Sequence, residues 1–215
     1  MGAQEILEKI KRKVFHLEDY FFEKSNSFDF SGIIAPNNLC PNDSISATHA
    51  TSYQAVWCRN MRKLFREAKK TQLALANFID IGSGKGKACL YAHKKMQFSK
   101  IIGIEFSQQL VDIANRNKRK INAENIKFLH TDAIEFQLPD EPCLVFMFNP
   151  FDNVVLGKFI RNNLQHFHLR KSVIAYANDV EGMTLLECGF ETIFRDQSRK
   201  ISLYQLRENA EIKIS

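Results

Sequence analysis

Four polar residues in this sequence stand where apolar runs end: Asp80, Glu105, Asp132 and Asn149. The first opens the stretch Asp80-Ile-Gly-Ser-Gly-Lys-Gly86, with Gly82, Gly84 and Gly86 on alternate positions. Glycines so spaced let a backbone turn tightly against a ligand, since a Cβ would block positive φ or close approach. A carboxylate two residues before them repels phosphate and suits a cation. Both phosphate-binding patterns fail here. A Walker loop needs Gly, four residues, then Gly-Lys-Ser/Thr. Counting back from the two Gly-Lys pairs reaches Ile79 and Ile81, and the residues after the lysines are Gly86 and Ala88. A dinucleotide fingerprint needs its third glycine where Lys87 stands.

The next acid, Glu105, ends the run Lys100-Ile-Ile-Gly-Ile, about 20 residues on, where a ribose-binding fold places a carboxylate for two hydroxyls. Asp132 ends a third run and could read an adenine amine. Taken alone, Asp132 and Asn149 also suit helix capping, and Pro150 and Phe151 a strand-ending turn. The ordered set resembles the class I S-adenosylmethionine (SAM)-dependent methyltransferases, over residues 77–151. The resemblance implies that Asp80, Gly82, Ser83, Gly84 and Gly86 hold the methionine end of SAM. It places Glu105, with Phe106 beside it, at the ribose and Asp132 with Ala133 at the adenine. Asn149, Pro150 and Phe151 then face the methyl acceptor, with Asn149 also at the cofactor's edge. Relatives that methylate nitrogen often carry two prolines at this strand end; this chain has one, which weakens any nucleobase assignment. The implied acceptor is a nitrogen of a protein side chain or a small amine. Two other readings stay open, a nucleic-acid methyltransferase and a SAM-binding regulator without catalysis.

Strands are predicted near 77–82, 100–105, 126–131, 143–148 and 171–177, with helices near 86–96, 107–123 and 152–167 between them. Such alternation implies a parallel sheet with right-handed crossovers. A helix at 180–188 precedes two closing strands, 191–195 and 200–207. The expected fold is therefore α/β, with a Rossmann-like, mostly parallel seven-stranded sheet, helices on both faces and an antiparallel last strand. Residues 77–215 form the SAM-binding core of one domain. Residues 1–76 form an N-terminal helical cap and loop: an amphipathic helix at 3–24, a turn-rich stretch at 25–47 and a helix at 51–76. Phe28, Phe30, Ile33 and Ile34 are expected to pack, and the hydroxyls just before Tyr53 to cap the second helix. His49, Thr51 and Tyr53 are placed near the site.

The chain has 215 residues, 45% hydrophobic and 25% charged, with a formal net charge of +6, ordinary values for a globular domain. No apolar run approaches the roughly 20 residues of a membrane span, and the N-terminus carries no signal-peptide core. Five cysteines without a C-x-x-C pair point to a reducing, cytoplasmic setting and no disulfide framework. No His or Cys spacing suggests a metal site. Basic clusters lie at Lys9–Lys13, at Arg59–Lys70 and at Arg116–Lys120. Arg59, Arg62, Lys63, Arg66 and Lys70 share one helical face, which is either solvated or open to nucleic acid.

Overall fold

A computed structural model describes residues 16–39 and 48–208. Its strands are β1 (Asn77–Ile81), β2 (Lys100–Glu105), β3 (Ile126–His130), β4 (Cys143–Phe148), β5 (Val173–Ala177), β6 (Phe190–Asp196) and β7 (Ile201–Leu206). They form one sheet in the order β3-β2-β1-β4-β5-β7-β6. β1 to β5 are parallel, and β7 runs antiparallel to both β5 and β6. The strand order reverses at β1, which has β2 on one side and β4 on the other. In open α/β sheets that reversal leaves a crevice at the carboxyl ends of the strands.

The helices are α1 (described over 16–24), α2 (Cys58–Lys70), α3 (Lys87–Lys95), α4 (Gln108–Arg119), α5 (Asn153–Leu169) and α6 (Gly182–Glu187). Successive strand residues point to opposite faces. Phe78, Phe146 and Ala175 therefore pack with α2, α3 and α4 on one face, while Ile79, Val145 and Ile174 pack with α5 and α6 on the other. Both faces are covered, so β1 and β5 are buried at every position, as the unbroken apolar sequence of β5 requires. No helix among the described residues is long and apolar enough to cross a membrane.

The N-terminal third departs from expectation in three places. Residues 51–57 are extended, and α2 begins only at Cys58. Tyr53 pairs with Ile34, and Ala50 with Phe151, in isolated antiparallel bridges. Thr51, Tyr53 and Ala55 are half-buried while Ser52 and Gln54 are exposed, which is the two-residue alternation of a strand. Nor do the preceding hydroxyls cap α2. Trp57 is its N-cap without a side-chain bond, and the Cys58 N–H donates to Asp19 Oδ1 at 3.1 Å. The third departure is Ile33, which lies 72% exposed. Phe28 and Phe30 are buried, forming a ring cluster with Phe22, which in turn contacts Tyr91 on α3. Predicted features at 3–15 and 40–47, including the Lys9–Lys13 cluster, lie outside the described residues.

Candidate functional site

β1 delivers its chain into the glycine turn at the point of strand reversal. Gly82 has φ +72° and Gly84 φ +53°. A Cβ on Gly82 would lie 2.4 Å from Pro150 Cβ, and one on Gly84 2.4 Å from the Tyr53 ring. Both positions therefore need glycine twice over, for conformation and for space. The turn is thus sandwiched between the β4 end and the extended N-terminal segment. Together these walls enclose a narrow cleft with a cavity volume of about 80 Å³.

Two carboxyls stand on its floor. Asp80, 3% exposed, receives a contact from the Cys89 thiol at 3.6 Å. Burial pushes its pKa up to about 8; the Cys89 bond opposes this and the nearby Glu105 adds to it. Glu105, 4% exposed, accepts from the Gly84 N–H at 2.8 Å and the Ser107 N–H at 3.0 Å, one on each oxygen. Burial raises its pKa as well, against the backbone N–H groups that hold it charged. Among the described residues, no cation lies within ion-pair distance of either group. Ser83 adds a buried hydroxyl without a hydrogen-bond partner among the described residues.

The two lysines of this stretch are engaged by the N-terminal cover, Lys87 while also lining the cleft. Lys85 Nζ donates to Asp29 Oδ1 at 2.9 Å and to the Ser31 carbonyl at 2.7 Å. Lys87 Nζ pairs with Asp19. Neither is left to cradle a phosphate. Asn117, wholly buried on α4, fastens the same region by exchanging bonds with the Asp29 backbone and donating its amide to the Lys85 carbonyl.

The other expected residues fall as follows. Phe106, Asp132, Ala133, Pro150 and Phe151 line the cleft with Asp80, Gly82, Ser83 and Glu105. Asp132 also caps a 3₁₀ turn, Ala133–Glu135, accepting from the Ile134 N–H at 3.1 Å. Gly86, at φ +84°, ends the turn and starts α3. Asn149 is not on the cleft wall. It adopts φ +43°, and its Oδ1 accepts from the Tyr176 hydroxyl at 3.2 Å. Its backbone carbonyl accepts from the Thr51 hydroxyl, and the Pro150 carbonyl accepts from the Thr51 N–H at 3.0 Å. Tyr53 lies on the glycine turn and donates to the Phe30 carbonyl at 3.0 Å. His49 Nδ1 sits 2.6 Å from Asp152 Oδ2 beside the rim.

Sequence reading missed Leu110, Thr131 and Phe148 on the wall. Thr131 and Phe148 directly precede residues that were singled out, so strand-end position alone could have found them. Leu110 had no signal beyond its apolar spacing.

The chain matches the family described as "Methyltransferase domain" over residues 73–195. No curated protein matches it. Among solved structures it is similar to a SAM-dependent methyltransferase from Aquifex aeolicus, at 16% identity and a TM-score of 0.51, covering 70% of this chain and 98% of that one. It is similar to a ribosomal protein L11 methylase from Lactobacillus delbrueckii subsp. bulgaricus, at 12% identity and TM-score 0.52, covering 69% and 79%. A magnesium protoporphyrin IX methyltransferase from Synechocystis PCC 6803, with SAM bound, gives 13% identity and TM-score 0.51 over 70% and 79%. Likeness at these identities shows the fold, and acceptors as different as a protein and a porphyrin share it.

Proposed function

From the premise that this chain belongs to the methyltransferase-domain family, as a class I SAM-dependent methyltransferase, we propose that its acceptor is a nitrogen of a protein side chain or of a small amine. The observation that carries the cofactor assignment is the pair of buried carboxyls, Asp80 and Glu105, without a cationic partner among the described residues. A buried carboxyl is costly unless a charge or donor meets it. The residues present fit SAM, whose ammonium, sulfonium and ribose hydroxyls suit acids and whose lack of phosphate suits a floor that repels anions. SAM supplies, when bound, a methyl group activated by a positively charged sulfur.

Each residue then has a physical task. Asp80 and the turn backbone bind the methionine end, and the orphaned Ser83 hydroxyl finds a partner there. Glu105 keeps lone pairs beyond the two used by Gly84 and Ser107, enough for two hydroxyls. Phe106 and Ala133 provide apolar surface for the base, with Asp132 at its edge. The Pro150 carbonyl, on the cleft wall and already held by the Thr51 N–H, retains a second lone pair for an acceptor N–H. Pointing that N–H at the rim aims the nitrogen lone pair inward. The protein's contribution to rate is proximity and alignment. A reducing, cytoplasmic location is part of the proposal, supported by the five cysteines without paired spacing.

The test is transfer of labelled methyl from SAM into a fractionated cell lysate. The expected result is label in protein that survives nuclease and appears on an amine nitrogen after hydrolysis, or label in a small-amine pool. Label in nuclease-sensitive material would overturn the acceptor class. SAM binding by calorimetry with no label in any fraction would make the protein a regulator.

A further inference from the structure

We propose that the groove between the C-terminal halves of α2 and α3 is a docking site for a nucleic-acid backbone, separate from the cleft. Two adjoining cavities share Lys69, Lys95 and Met96 and so form one continuous groove. Arg62, Arg66, Lys69, Lys94 and Lys95 line it, with His93, against one carboxylate among the described residues, that of Glu18. That carboxylate is already engaged by Arg62 at 2.5 Å and by the Tyr91 hydroxyl at 3.3 Å. Lys69 and Lys95 are exposed, with no carboxylate partner among the described residues, and Lys94 bonds only the neutral Asn26 amide.

The structure sorts the basic face expected on α2 into two parts. Lys63 and Lys70 are taken up by Glu67, at 3.0 and 2.7 Å, and Arg66, 65% exposed, reaches the same carboxylate only at 3.6 Å. Arg62, Arg66 and Lys69 follow each other at four and three residues, so they form a single stripe along the groove wall. Cations in the last turn of a helix are common because they offset its dipole. That accounts for Lys69 on α2 and for Lys94 and Lys95 on α3 taken separately. It does not account for Arg62 and Arg66, which lie earlier in α2, nor for the convergence of both sets on one groove.

Two details fix the kind of ligand. Phe65 and Tyr91 line the groove but are 3% and 2% exposed, so among the described residues its lining offers no ring for a base to stack on. The groove reads phosphates, not sequence. α3 starts at the glycine turn, and its nine residues carry the chain roughly 13 Å toward the strand-start end of the sheet. A backbone held there is tethered away from the cleft, so the site holds a partner and does not present an acceptor.

The experiment is a fluorescence anisotropy titration of a short labelled RNA duplex over a series of salt concentrations. With four or five phosphates neutralised, affinity should fall roughly 300-fold for a fourfold rise in salt. The Lys69→Glu/Lys95→Glu double variant should bind at least tenfold more weakly, with a salt slope smaller by about two. Its melting temperature and SAM affinity should match the unaltered protein, because neither residue touches the cleft. Failure to bind RNA at low salt, or equal binding by the double variant, would overturn the proposal. So would tighter binding to polyglutamate or to phosphatidylserine vesicles than to RNA. No methyl transfer enters the measurement, so the result is independent of the acceptor assignment.

Discussion

Four carboxylates surround the glycine turn, and they divide into two pairs. Asp19 and Asp29 come from the N-terminal cover, and each is matched by a lysine of the turn, Lys87 and Lys85. Asp80 and Glu105 come from the strand ends, and neither is matched by a cation among the described residues. The two pairs use the same chemistry around one loop. The difference teaches which acids hold the protein together and which wait for a ligand. A paired acid has its charge satisfied by the fold. An unpaired buried acid is a stability cost that a cation from outside can relieve, and such costs gather at functional sites.

The sharpest way to break this contrast is to cut the Asp19–Lys87 pair. Asp19→Ala strands a buried lysine and uncaps α2 at Cys58, and should cost about 3–5 kcal/mol in chemical denaturation. Asp19→Ala/Lys87→Met should recover part of that loss. If the single variant unfolds like the unaltered protein, the cover is not latched by charge. Glu105→Ala tests the other pair. It removes an acceptor from Gly84 and Ser107 and from the ligand, and calorimetry should show SAM affinity weaker by about 3 kcal/mol, roughly 150-fold. Unchanged affinity would remove Glu105 from the site.

Asp80 gives a pH signature. Its folded-state pKa is about 8 against an ordinary 3.8. The folded protein keeps a proton that the unfolded chain has released, so stability is complete below about pH 4 and declines as pH rises toward 8. The slope from this group is about 1.4 kcal/mol per pH unit within that window. Asp80→Asn should flatten it, melting above the unaltered protein at pH 7.5 while binding SAM more weakly. SAM affinity of the unaltered protein should rise between pH 6 and 7.5, as Asp80 ionises, and that rise should vanish in the variant. A melting temperature insensitive to Asp80→Asn would contradict the unpaired-acid account. The smallest effect is expected from Tyr53→Phe, which keeps the ring on Gly84 and loses only the bond to Phe30. A cost near 1 kcal/mol in stability is expected; a large loss would mean that the hydroxyl does more than tie two segments of the cover.

The sheet was legible because its signals are local. Continuous apolar runs such as Cys143–Phe148 declare burial on both faces, and glycine after a strand declares a turn. The extended segment 51–57 was misread because Tyr53 and Val56 satisfy helical spacing as well as Trp57 through Leu64 do, and nothing nearby says where α2 begins. Its first N–H is capped from Asp19, 39 residues earlier. Asn149 was placed at the right strand end, yet its side chain turns to Tyr176 on β5, a partner that no spacing rule points to.

By itself the sequence determined that a glycine turn and a row of strand-end acids must exist, since both follow from residue types within a few positions of one another. Only the tertiary structure decided which acids are neutralised, because pairing depends on segments far apart in the chain meeting over one loop. The lysines beside the glycines read alike on paper; the folded chain pairs both with acids of the cover and leaves Asp80 and Glu105 without an ion-pair partner among the described residues.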